Sequence, residues 1–340
     1  ERSRPATSYP PAPARTRREK FVNFLFSTCR AEGARQCSLK RSGIEFPLIP
    51  RWGLAADALE HATTGYKTSC ARKSSGMGLS DFNYEVTMTN QQKVKAAVYL
   101  HAVLRNIAQL CELDSRARAI VADSGTSVDF HIPGIQPLTL IFDHGSCTAT
   151  TKPKTKPTIS LVFASSKHFN GMIDGKANPI PIKGFTHIKF LTDEFMQITD
   201  RLTEFLRPTP EALKDPEFSR ISTILTANVA FSALGPIARY DDHGKKNAGR
   251  IPDGNILVHV EDGPELTIHA EGGALSLSQG RIRPISALMS FDSIETAQGI
   301  LSGDLDSFAC LGKSRLKIRG RIAMIDNLNK LLGQVQTYLA

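Results

Sequence analysis

Val128-Asp129-Phe130-His131-Ile132 and Ile256-Leu257-Val258-His259-Val260 decide how this chain is read. Each places apolar side chains at every second position, the period of a strand with one buried face. They stand 128 residues apart, and the same shift keeps working outward from them. Leu138-Thr139-Leu140 falls on Leu266-Thr267-Ile268, Gly145 on Gly273, Phe163 on Phe291, and Met172-Ile173 on Ile300-Leu301. Beyond these, Gly184 falls on Gly312 and Lys189 on Lys317. One shift that matches apolar and glycine positions over such a span implies two copies of one unit.

The elements follow one order in both copies. An amphipathic helix opens each: Leu100, Val103, Leu104, Ile107, Leu110 and Cys111 share a face in the first, and Ile224, Ala227, Phe231 and Leu234 in the second. Strands then alternate with turn signals, Pro133-Gly134 and Asp143-His144-Gly145 in the first copy, Asp262-Gly263-Pro264 and Glu271-Gly272-Gly273 in the second. A short helix follows at 167–173 or 293–301, then a last strand expected at 188–191 or 315–318. A closing helix carries the stripe Phe195, Ile198, Leu202, Phe205 or Met324, Leu328, Leu331, Leu332, Val335. The expected fold class is α+β, with two tandem units at 89–210 and 215–340. Each is a roughly five-stranded sheet covered on one face by helices. Residues 1–88 are expected to be a poorly ordered basic extension, rich in Pro and Arg at its start. An Arg-rich, acid-poor leader also fits an organelle transit peptide.

This order resembles the sterol carrier protein 2 (sterol-transfer) family, in two tandem copies. The likeness rests on Gly299 to Asp306 and Leu311 to Gly320 in the second copy, and on Gly171 to Gly175 and Ile182 to Lys189 in the first. The first copy departs from the pattern at Asn178-Pro179-Ile180-Pro181. The resemblance implies an apolar tunnel between sheet and helices that takes a fatty acid, acyl chain or sterol-like ligand. In the second copy the residues expected to line it are Val258, Val260, Leu266, Ile268, Leu328, Leu331, Leu332 and Val335, with Phe308 near one mouth. In the first copy they are Phe130, Ile132, Leu138, Leu140, Ile198 and Leu202.

The remaining chemistry is sparse. Gly312-Lys313-Ser314 ends like a phosphate-binding loop, but the first glycine of that loop would fall on Ser307. His131 and His259 are equivalent and sit mid-strand without partners at ligand spacing, so a packing or surface role is expected. Asp241 to Lys246 reads as a charged, solvated turn. No GxSxG, HExxH, CxxC or GxGxxG occurs. The six cysteines are scattered, which fits a reducing, cytoplasmic setting.

The net charge of +9 lies mainly in residues 1–87, which hold 14 Lys and Arg against 8 Asp and Glu. No groove-reading motif accompanies it, so no specific nucleic acid is expected. The function expected from these features is non-catalytic binding or transfer of a lipid or other apolar small molecule, without cofactor or metal. Transient contact with a membrane goes with that role. A ligand-free interaction or accessory scaffold is the alternative.

Overall fold

The computed structural model describes residues 90–302 and 304–339, so the extension expected at 1–88 lies outside them. Two units of the same topology follow one another. In the first, helix α1 (90–113) is α-helical at 90–98, widens into a π turn at Tyr99–Val103, tightens at Leu104–Asn106 and is α-helical again at Ile107–Leu113. Then come α2 (Ser115–Ile120), β1 (Thr126–His131), β2 (Leu138–Asp143), β3 (Ser146–Thr150), β4 (Ile159–Val162), α3 (Ser166–Ile173), β5 (Ile180–Lys183), α4 (Ile188–Thr192) and α5 (Glu194–Leu206). The second unit runs α6 (Pro216–Ser232), α7 (Leu234–Tyr240), α8 (Asp242–Ala248), β6 (Gly254–Val260), β7 (Glu265–Glu271), β8 (Ala274–Gln279), β9 (Ile285–Phe291), α9 (Ile294–Ser302), α10 (Ser307–Gly312), β10 (Leu316–Gly320) and α11 (Ile322–Leu339).

The sheet orders are β3-β2-β1-β4-β5 and β8-β7-β6-β9-β10. Both sheets are mixed, because the central pairs β1–β4 and β6–β9 are parallel and the other pairs antiparallel. The 128-residue shift holds residue by residue across four strands. Phe130 pairs with Leu138 and Leu161, and Val258 with Leu266 and Met289. Leu140 pairs with Ala149, and Ile268 with Leu277. In every strand but the exposed edge strand β5, alternate residues point into the helix layer, where the core sits.

The last strand breaks the shift. Residues 188–191, read as a strand, belong to helix α4, and the edge strand is Ile180–Lys183. The second unit inserts α10 before its edge strand, and the first unit has no counterpart. Gly184 therefore corresponds to Gly320 and not to Gly312. Both have φ near +90°, and a Cβ at either would strike the backbone of the neighbouring strand, at Thr158 or Ser286. The departure at 178–181 thus leads into the edge strand, sharing Ile180 and Pro181 with it.

Each short second helix is capped by an aspartate that the closing helix holds. Asp114 accepts from the Ala117 amide and Asp241 from the Gly244 amide. Arg201 of α5 donates twice to Asp114, at 2.9 and 3.0 Å, and the Tyr338 hydroxyl of α11 donates to Asp241 at 2.6 Å. Residues 241–246, expected to form a solvated turn, are the cap and first turns of α8.

The units are joined by buried contacts. Asn106 donates to the Leu225 carbonyl at 2.9 Å, Phe205 stacks on Phe218 at 4.5 Å, and Ser222 donates to the Phe205 carbonyl at 2.7 Å. Pro216–Tyr240 is apolar and long enough to cross a membrane by length and composition. Its apolar window is 78% buried inside the protein, which accounts for that composition through packing between the units.

Candidate functional site: an apolar cavity in the second unit

A cavity of about 80 Å³ lies between the second sheet and its helices. Its floor is Val258 and Val260 of β6, Leu266 of β7, and Met289 and Phe291 of β9, with Leu316 at the edge strand. Its roof comes from Ala227, Ala230 and Phe231 of α6, Ala297, Ile300 and Leu301 of α9, and Leu332 and Val335 of α11. Period-2 strands supply the floor, and i, i+3, i+4 spacing supplies each helical wall. Asn329 and Gln336 are the amide side chains in the wall. The Asn329 Oδ1 is buried and has no hydrogen-bond partner among the described residues.

Of the residues the sequence singled out in this unit, Val258, Val260, Leu266, Leu332 and Val335 come together in the cavity wall. Ile268, Leu328 and Leu331 are buried in close-packed core outside it. Phe308 is 44% exposed on α10 and also stands outside the wall. Ala297, Ile300 and Leu301 were missed as lining residues, although their spacing on the short helix was readable.

The first unit fills the same space with rings. Phe130, Phe169 and Phe195 are 0–1% exposed. At the 128-residue shift Phe130 and Phe169 fall on Val258 and Ala297, both in the cavity wall of the second unit. Phe130 and Phe195 meet at 6.1 Å between centroids, and Phe142 contacts both Phe190 and Phe195. Ile132, Leu138, Leu140, Ile198 and Leu202, the other positions expected to line a tunnel here, are buried in this aromatic core.

The strand histidines lie with carboxylates. His131 Nε2 is 2.5 Å from Asp129, whose other oxygen accepts from Thr139, and His259 lies between Glu261 and Glu265 at 3.2 and 3.0 Å. Among the described residues no group of three or more His, Cys, Asp or Glu is placed to hold a metal ion.

No protein-family model and no curated protein matches the chain. Among solved structures, the UbiJ-SCP2 ubiquinone synthesis protein is similar with a TM-score of 0.27 and 14% identity, over 33% of this chain and 92% of that one. The stereoselective inverting sec-alkylsulfatase Pisa1 from Pseudomonas sp. gives 0.21 and 13%, over 43% of this chain and 29% of the sulfatase. This chain thus spans under a third of the sulfatase's length. Likenesses this low carry no argument about activity.

Proposed function

We propose that the second unit binds an apolar chain without catalysing a reaction on it, and that the first unit is its filled, ligand-free counterpart. The ligand class is a fatty acid, acyl or sterol-like molecule. The observation that carries this reading is the loss of two rings at the wall positions Val258 and Ala297, where the first unit carries Phe130 and Phe169. A cavity whose wall is mostly apolar stays dry when empty, and an apolar ligand gains about 0.8 kcal/mol for each methylene it buries.

The closed cavity is smaller than the ~150 Å³ that admits benzene in an engineered core. An acyl chain therefore has to displace a wall helix, α9 or α11. Asn329 supplies a buried amide that can meet a hydroxyl or carboxyl group on the ligand, a polar anchor of the kind that orients ligands in apolar sites. The sterol-carrier-like order of elements supports the same reading.

Delipidated full-length protein titrated with a fluorescent polyene fatty acid tests it. The wild type should bind the probe. Val258→Phe restores the first unit's residue at the cavity floor, and should weaken probe binding by about tenfold or more while the protein stays folded. An unresponsive wild type, or a variant that binds equally well, removes the proposal and leaves the scaffold reading.

A further inference from the structure

A second concavity, of about 630 Å³, opens where the two units meet, and its chemistry is unlike that of the apolar cavity. Gln136, in the β1–β2 loop, ties its walls together. Its backbone N–H donates to the Tyr240 hydroxyl at 3.3 Å, its carbonyl lies 2.9 Å from His101 Nε2, and its side-chain oxygen accepts from Arg239 at 2.9 Å. These bonds join α1 and the β1–β2 loop of the first unit to α7 of the second, so the cleft exists only in the joined pair.

Three cations reach the cleft from three helices: Arg105 from α1, Arg239 from α7 and Lys245 from α8. No carboxylate lines it among the described residues. Among the described residues Arg105 has no carboxylate partner, and the partners of Arg239 are the neutral Gln136 amide and the Tyr240 ring. Lys245 pairs with the exposed Asp242, whose side chain is outside the cleft wall. Like charges gathered in a concavity repel one another and focus a positive field into it.

His101 feels that field. Burial first, and then the charges of Arg105 and Arg239, hold its imidazole down to about 4 against its bond to the Gln136 carbonyl. The π turn that carries His101 is a local widening of the helix, a feature that often marks sites of function. Gly235, Gly249, Gly272 and Gly273 line the opposite wall and present backbone without side chains.

We infer that this cleft binds a small phosphate-bearing anion, held by Arg105, Arg239 and Lys245 across the junction of the two units. Its volume is that of a small-molecule site, and guanidinium groups match phosphate oxygens in paired hydrogen bonds. The inference is independent of the lipid reading, because it uses none of the apolar cavity's residues.

Calorimetric titration of the full chain with inorganic pyrophosphate, and separately with citrate, tests it. Pyrophosphate should bind the wild type, and more tightly than citrate. Arg105→Gln, at an exposed side chain, should weaken pyrophosphate by about tenfold and leave the melting temperature unchanged. Arg239→Gln should do the same. If Arg239→Gln fails to fold, Arg105→Gln still decides.

Lys154→Gln with Lys156→Gln, exposed on the β3–β4 loop that begins at Thr151 of the cleft wall, should leave binding as it is. No pyrophosphate binding, preference for citrate, or loss only in the lysine-loop variant overturns the inference. So does binding of a single-stranded oligonucleotide that Arg105→Gln does not affect, because that would make the surface a nucleic-acid face.

Discussion

At the centre of the first sheet Phe130 stands between Leu138 and Leu161, and at the same point of the second sheet Val258 stands between Leu266 and Met289. The backbones pair alike, but the side chains fill the space differently. Phe169 repeats the contrast against Ala297. A protein interior is packed to near-crystalline density, so a ring-sized loss at two positions of one wall leaves either a collapse or a void. Here it leaves a void, lined by the residues that replaced the rings. One topology thus holds a solid core in one unit and a cavity in the other, decided by side-chain volume and not by polarity.

The largest effect expected from this contrast is in the first unit. Phe169→Ala should cost about 3–5 kcal/mol in urea unfolding, as for any ring removed from a close-packed core. A cost under about 1 kcal/mol would show that the first core is not filled.

Next are the two cap anchors. Arg201→Met strips a largely buried carboxylate of its cation and should cost about 3 kcal/mol, whereas Tyr338→Phe removes one hydrogen bond and should cost about 1 kcal/mol. Equal costs would break the asymmetry between the closing helices. Burial works to raise the Asp114 carboxyl, but the Arg201 bonds and the Ala117 amide outweigh it, and the group is held below its ordinary value. That stability is present above the ordinary carboxylate range and is lost as pH falls through the lowered one.

The junction cleft titrates in a higher window. His101 takes up its proton near 6.5 when unfolded and at about 4 when folded. Its contribution is therefore complete above pH 6.5 and fades as pH falls toward 4. The amount is on the order of 2–3 kcal/mol. Unfolding free energies from pH 7 to 4.5 should show this slope in the wild type and a flatter one in His101→Gln. Parallel curves would mean that the imidazole is not sheltered.

The smallest effect is expected in the second unit. Val258→Phe should change stability by no more than about 1 kcal/mol, because the ring enters existing space. In a solid core the same change would cost about 1–3 kcal/mol.

Much of the fold was legible in the chain. Alternation in Val128–Ile132 and Ile256–Val260, together with paired glycine turns, gave the strands and their register over four of the five positions. The fifth was misread because α10 displaces the frame by eight residues. Gly184 then looked equivalent to Gly312, when only the positive φ and close strand contact at Gly320 identify its counterpart. The cavity was half legible. An apolar pattern scores Phe and Val alike, so it found Val258 and Leu332 but gave the first unit the same role. Leu331 and Leu332 look alike in a stripe, yet only Leu332 reaches the wall. The junction cleft was illegible, because Arg105, Arg239 and Lys245 read singly as solvated helix charges and meet only when the units dock.

The most direct test of the central claim is a crystal structure of the delipidated protein soaked with a terminally brominated fatty acid, read by bromine anomalous scattering. The account predicts bromine between β6, β9 and α11 of the second unit, beside Val258 and Leu332, and none between β1 and α5 of the first. Bromine beside Phe130, or no ordered bromine in either unit, would contradict it.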